Sequence, residues 1–315
     1  MNEIIEIIKP GLATSVQDLG RYGMQKYGIV AAGAMDSFAL QISNILVGNP
    51  RNEACLEIAW IGPKIRFLDT AVLAICGAKL SPKLDGTPVP LWKSFIVHKD
   101  QILEFGSPEE GMYAYLAIHG GIDVPIVMGS KATYVKAQLG GFLGRSLRKG
   151  DCLPIGKATE QLAKINGRSL HYDFIPTYAE ERSIKVLLGP DDAAFTEESI
   201  ESFLNETYEV TNQADRMGYR LKGPKLVQRE HADIFSDAIL PGTIQVPASG
   251  DPIILLADRQ TTGGYTRIAT VISTDLPYLT QKNPGESLTF EAVTLEKAQR
   301  LYRQQSLFLQ RLSMV

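Results

Sequence analysis

The sequence predicts a mainly β protein with a few helices, and three observations carry that expectation. Short apolar runs rich in Ile, Val, Phe and Tyr recur along most of the chain, with the length and composition of strands. Glycine and proline punctuate them, as in Asp85-Gly86-Thr87-Pro88, Phe105-Gly106-Ser107-Pro108 and Asn283-Pro284-Gly285. The regular alternation with long helices that a doubly wound parallel sheet demands is missing.

In chain order, strands are expected over residues 4–8, 56–61, 71–75, 95–97, 102–105 and 112–118, then over 184–188, 253–257, 267–272 and 288–290. Three segments read as helices. Residues 36–47 place Asp36 as a cap and line up Phe38, Ala39, Ile42, Ile45 and Leu46 before Gly48-Asn49-Pro50 stops the run. Residues 196–204 carry Glu197 and Glu198 in the first turn, where the helix dipole favours them. Residues 294–312 begin at a capping Thr294 and repeat Leu295, Ala298, Leu301, Tyr302 and Leu309 near helical spacing. A chain of 315 residues suits about two domains. The stretch 156–182 has no periodicity and carries Asn166-Gly167 and Pro176, so the boundary is expected near 180, between parts 1–180 and 181–315.

Lys and Arg number 32 against 35 Asp and Glu, a net charge of −3, which excludes binding to nucleic acid through bulk positive charge. The 44% hydrophobic content supplies ample core and excludes wholesale disorder. Cys55, Cys76 and Cys152 are odd in number and far apart, the usage of reduced, buried thiols in a cytoplasmic protein. Glu3 and Glu6 and the lack of a basic stretch argue against a signal peptide, and the apolar runs are too short for a membrane span. Gly150 to Ala158 has the wrong spacing and final residue for a phosphate loop, and Gly140-Gly141-Phe142-Leu143-Gly144 is not a dinucleotide fingerprint. A Gly-x-Ser-x-Gly elbow is missing. The histidines His98, His119, His171 and His231 are scattered, so no metal site is expected. His119, at a strand end, is expected to be satisfied by backbone groups.

Three polar, glycine-bearing clusters are candidate chemistry. The first runs from Thr14 to Gly23 and continues at Gly33-Ala34-Met35-Asp36. Gln17 and Arg21 can bind a carboxylate or amide oxygen there; an Asp18–Arg21 pair pinning the loop is the structural alternative. The second, Asn212 to Gly223, carries Arg216 and Arg220, which can orient an anion, while alternation through Tyr219 and Leu221 equally suits an edge strand. The third, Ala257 to Arg267, sets Arg259, Gln260, Thr261 and Thr262 around Gly263-Gly264, with Tyr265 following. Placed over a barrel mouth between adjacent strands, its glycines would allow positive φ and close approach to a ligand. A plain hairpin accounts for the glycine pair but not for the donors around it. None of the clusters sets a nucleophile beside a base, so the chemistry expected is binding and polarisation by oriented donors.

The same segments resemble one family closely. Pro10-Gly11-Leu12, Thr14 to Arg21, and Gly33-Ala34-Met35-Asp36 look like the opening of the allophanate-hydrolase-subunit-2 family. That family is also called the 5-oxoprolinase C subunit or KipI antagonist, and is related to the carboxyltransferase part of urea carboxylase. The likeness continues through Gly120 to Pro125, Gly129 to Tyr134, Leu139 to Arg145, Asp215 to Leu221, Pro241 to Val246-Pro247 and Leu255 to Tyr265. It implies a cyclophilin-like β barrel in the C-terminal part joined to a second β-rich part. It also implies a place in a multi-subunit, ATP-dependent 5-oxoprolinase that acts on a small-molecule amide. The partners implied are the KipI-like B subunit, met directly, and the A subunit in the full complex. Arg259, Gln260, Thr261, Gln17 and Arg21 are then the catalytic candidates. Asp18, Arg216, Tyr219, Gln245, Thr262, Gly263, Gly264 and Tyr265 are the substrate-contact candidates.

This chain departs from the family pattern at Ser236-Asp237-Ala238, where Ser-Glu-Gly is expected, and at Asp251, where Gln is common. No Ala-Met-Lys-Met string is present, so covalent biotin is not expected on this chain. Two other functions fit the resemblance: a regulatory protein that sequesters a KipI-like kinase inhibitor, and a biotin-dependent carboxyltransferase acting on urea or a similar amide.

Overall fold

The computed structural model describes residues 3–157 and 160–314. The chain divides into two compact units: Met1–Tyr22, Ala32–Ala179 and Leu309–Val315 form the first, Gly23–Ala31 and Glu180–Phe308 the second.

In the first unit the strands are β1 (Glu3–Lys9), β2 (Ala13–Gln17), β3 (Cys55–Ala59), β4 (Lys64–Phe67), β5 (Ala71–Lys79), β6 (Lys83–Leu84), β7 (Thr87–Pro88), β8 (Ser94–Val97), β9 (Ile102–Glu104), β10 (Glu110–Ile118) and β11 (Cys152–Pro154). They form two sheets, ordered β11-β1-β4-β9-β6-β7 and β2-β3-β10-β5-β8. The period of two decides what faces inward. Ile5 and Ile7 of β1 enter the core with Ile65 and Phe67, while Glu6 pairs outside with Arg66 at 3.2 Å. Leu56, Ile58, Leu73, Ile75, Leu116 and Ile118 join that core from the second sheet. Helix α1 (Ser37–Leu46) packs on β10 and β5, so these strands are buried on both faces. A short helix, α2 (Leu162–Ile165), follows β11.

The second unit is a barrel. Its strands are β12 (Ile184–Leu188), β13 (Tyr208–Ala214), β14 (Gly218–Lys222), β15 (Asp233–Ala238), β16 (Thr243–Gln245), β17 (Ile253–Leu255), β18 (Thr262–Tyr265), β19 (Arg267–Val271), β20 (Ser287–Leu288) and β21 (Phe290–Ala292). Eight of them form one sheet in the order β20-β13-β14-β17-β16-β19-β12-β21. The two ends of that order, β20 and β21, are separated in sequence by Thr289 alone, so the sheet nearly closes on itself. Tyr208, Val210, Tyr219, Leu221, Ile244, Ile254 and Phe290 fill the interior, with Phe203 stacked on Phe290 at 4.4 Å. Helices α3 (Glu197–Asn205), α4 (Leu276–Thr280) and α5 (Leu295–Leu312) complete the chain. The mainly β class and the barrel agree with the sequence expectation.

Two local expectations change. Residues 219–221 are not an edge strand, because β14 is paired on both sides, with β13 and with β17. Residues 257–267 do not link neighbouring strands, because β16 lies between β17 and β19. The connection instead contributes β18, which pairs with β15 in a separate two-stranded ribbon. Among the described residues, no helix is long and apolar enough to cross a membrane.

Candidate functional site

The first cluster, Gly23 aside, lies in the first unit and is engaged by its loops. Asp18 accepts from Gly20 N and Ser130 Oγ through Oδ1, both at 2.7 Å, and from Lys131 N through Oδ2 at 2.6 Å. Arg21 is fully buried and donates from Nε to Val127 O and from Nη2 to Ala132 O, at 2.9 and 2.8 Å. Burial pulls its pKa down, with the charge of Asp18 opposing the shift. Gln17 donates to Ser15 Oγ and Thr133 O. Asp18 and Arg21 therefore reach past one another to clamp the 127–133 segment instead of bonding to each other. Arg21 Nη1 and Gln17 Oε1 are buried without a hydrogen-bond partner among the described residues.

The second and third clusters meet in the second unit. Arg216 holds Asp258 bidentately, Nε to Oδ2 at 3.0 Å and Nη2 to Oδ1 at 2.9 Å, and Asp258 N returns a bond to Arg216 O. Arg259 is 6% exposed; its Nε donates to Ile239 O and its Nη1 to Leu256 O, both at 3.1 Å. Thr261 O accepts from Ile239 N. Tyr219 faces the barrel interior and donates its hydroxyl to Thr280 O. These residues fix the loops and are not among those that line the neighbouring cavity.

The outer face of β14, β17 and β16, together with the ribbon, forms a cavity of about 430 Å³. Gln213, Asp215, Arg220, Gln245, Gln260 and Tyr265 supply its polar wall, and Ile253 and Leu255 its apolar floor. Of the residues singled out in the sequence, Gln245, Gln260 and Tyr265 are thus brought together on one wall. Arg220 stands in the sequence only as half of an arginine pair, and its outward place follows from alternation against the buried Tyr219 and Leu221. Opposite it, β13 bulges: Val210 pairs with Leu221 and Ala214 with Tyr219, so three residues of β13 face Arg220. Bulges of this kind re-aim side chains beside binding sites.

The glycine pair does not work as expected. Neither Gly263 nor Gly264 has positive φ, and both lie in β18. Gly263 is needed for proximity: an added Cβ would stand 2.6 Å from Gln245 Nε2, the atom that donates to Tyr265 O at 3.2 Å. The departures from the family pattern are also accommodated. Asp237 pairs with Arg267 Nη1 at 2.8 Å, which holds its carboxyl below the usual range, and Ala238 is extended backbone free of left-handed strain. Asp251 pairs with Lys225 at 2.6 Å.

Among the described residues, Asp36 caps α1, Glu197 and Glu198 open α3, and Glu296 opens α5, so these three helix starts do not favour an anion. His119 is satisfied as expected, Nδ1 by Val47 O at 2.7 Å and Nε2 by Glu160 N at 3.3 Å. Cys55 and Cys76 are buried, whereas Cys152 is half-buried and so departs from the expectation.

Residues 27–292 match the model of the carboxyltransferase domain, subdomain A and B. The chain is 37% identical to the 5-oxoprolinase C subunit of Escherichia coli (strain K12), with 98% of each chain covered. It is 34% identical to a putative urea carboxylase of Emericella nidulans, covering 93% of this chain and 24% of that one. The structure of the K. lactis urea amidolyase superposes with a TM-score of 0.93 at 29% identity, over 98% of this chain and 20% of that chain.

Proposed function

Because the chain belongs to the carboxyltransferase-domain family, subdomains A and B, we propose that it acts as the C subunit of an ATP-dependent 5-oxoprolinase, a complex that opens 5-oxo-L-proline to L-glutamate. One observation carries this: the E. coli C-type relative is matched end to end, over 98% of both chains. The urea carboxylase and amidolyase relatives are far longer, and this chain spans only 17–24% of them.

A lactam carbonyl is a poor electrophile, and ATP bound elsewhere in the complex would supply phosphoryl activation of its oxygen. This chain's contribution is to bind and polarise. Gln260 and Tyr265 line the cavity, and a side-chain amide and a phenol can donate to an amide oxygen as charge develops on it. Gln245, tied to Tyr265 O, fixes the ribbon that carries both donors. The apolar floor of Ile253 and Leu255 suits the ring methylenes. Two partners, one A-type and one KipI-like B-type, complete the complex in this reading, with ATP on one of them, and no covalent biotin is assigned to this chain. Similarity to urea carboxylases supports a second reading, carboxyl transfer from biotin on another protein to an amide.

Mixing the purified chain with its A-type and B-type partners tests the proposal. ATP hydrolysis should rise with 5-oxo-L-proline only when all three are present. Turnover indifferent to 5-oxo-L-proline, with exchange from a carboxybiotinylated carrier, would favour the second reading.

A further inference from the structure

We infer that Arg220 is the carboxylate anchor of the cavity in the second unit, and that the cavity takes a small amide carrying one negative charge in preference to a neutral amide. The inference deepens the reading above and rests on the cavity being its amide site.

Charge matching around the cavity isolates this residue. A second cavity of about 520 Å³ adjoins the first, sharing Asn212, Gln213 and Arg220. Of the other three cations near them, two are held in ion pairs and the third, Lys222, lines only the second cavity. Arg216 is held by Asp258, Lys225 by Asp251 at 2.6 Å, and Lys222 stands directly across the ladder from Glu209. Asp215, the acid on the same wall, has its Oδ1 engaged by Met217 N and Gly218 N, at 2.7 and 3.2 Å. Among the described residues, nothing pairs with the guanidinium of Arg220, a residue that lines both cavities. Its planar fork matches a carboxylate bidentately.

The remaining wall narrows the ligand further. Asn212, Gln213, Gln245 and Gln260 offer amide donors and acceptors, the complement of another amide, over an apolar floor. A neutral diamide such as urea would leave the guanidinium unmatched. A lactam bearing a carboxylate next to its ring nitrogen satisfies the amides, the floor and the cation at once. Arg220 therefore sets specificity by charge, and its loss should weaken binding of the acid without touching that of its uncharged counterpart.

The experiment compares 5-oxo-L-proline with 2-pyrrolidinone, the same ring without the carboxylate. Binding of each to the purified chain is followed by ligand-observed NMR, and kcat and KM are measured in the reconstituted complex. The parent chain should prefer the acid by tenfold or more. Arg220→Gln should bring the two ligands within about twofold, raising KM for 5-oxo-L-proline at least tenfold with kcat much less changed, and Arg220→Lys should recover part of the preference. Thermal unfolding of each variant should match the parent, since the side chain is exposed. A preference that survives Arg220→Gln, or a parent chain that binds neither ligand alone or in the complex, overturns the inference. ATP turnover that ignores 5-oxo-L-proline while the NMR preference still depends on Arg220 would instead remove the 5-oxoprolinase reading and leave the anchor standing.

Discussion

Arg216 and Arg220 look alike in the sequence, four positions apart in one polar cluster, and the structure gives them opposite employment. What separates them is Asp258, 42 residues after Arg216, a pairing no local pattern announces. Arg259 shows the same limit. Its setting among donors reads as a ligand contact, yet its Nε and Nη1 both end on loop carbonyls. Arg259→Lys should therefore lower stability by about 1–3 kcal/mol in urea unfolding, because one ammonium cannot reach both carbonyls; an unchanged midpoint would contradict this. The thiols differ more sharply. Burial pushes Cys55 up to about 12 and Cys76 well above the usual range, while Cys152 is half-buried. Iodoacetamide at pH 8 should thus label one thiol per native chain, Cys152, as counted by mass spectrometry, and three after denaturation.

Helices and ribbon mark the ends of legibility among the elements. The caps are readable because each is a short-range bond. Asp36 Oδ1 accepts from Ala39 N at 2.9 Å, Thr196 Oγ1 from Ser199 N at 3.2 Å, and Thr294 Oγ1 from Lys297 N at 3.2 Å. The β15–β18 ribbon is not, because most of β15 is exposed and shows no apolar alternation. Cross-links secure it instead. Arg267 holds Asp191 at 2.6 Å and Asp237 at 2.8 Å, which raises the guanidinium's own pKa. Since Asp237 is held below the usual carboxylate range, its contribution is present above about pH 3.9 and is lost as pH falls through the lower folded value. Protection of the amides in residues 233–238, taken relative to their intrinsic exchange rates between pH 5 and pH 2.5, should fall at the acid end in the parent. Asp237→Asn should be weakly protected throughout; identical protection profiles would show that the pair does not hold the ribbon.

For the molecule as a whole, the strands that burial marks with a period-two or continuous apolar trace were legible, as β1 and β10 were. Short or polar strands such as β4, β11, β13 and β16 carry too little of that trace to be singled out. The cavity was not, because its wall gathers Gln213, Arg220, Gln245, Gln260 and Tyr265 from separate segments that only the barrel order brings side by side. That order has a kinetic side. Thr289 is the seam: its carbonyl takes Ile184 N at 2.8 Å, β21 runs parallel to β12, and β20 caps β13. The earliest strand of the barrel thus waits for residues made about a hundred positions later. Until Phe290 emerges from the ribosome, both β12 and β13 offer bare edges to whatever strand arrives first. The unit is thereby committed to slow, non-local closure during synthesis, with its exposure to mispairing concentrated in that interval.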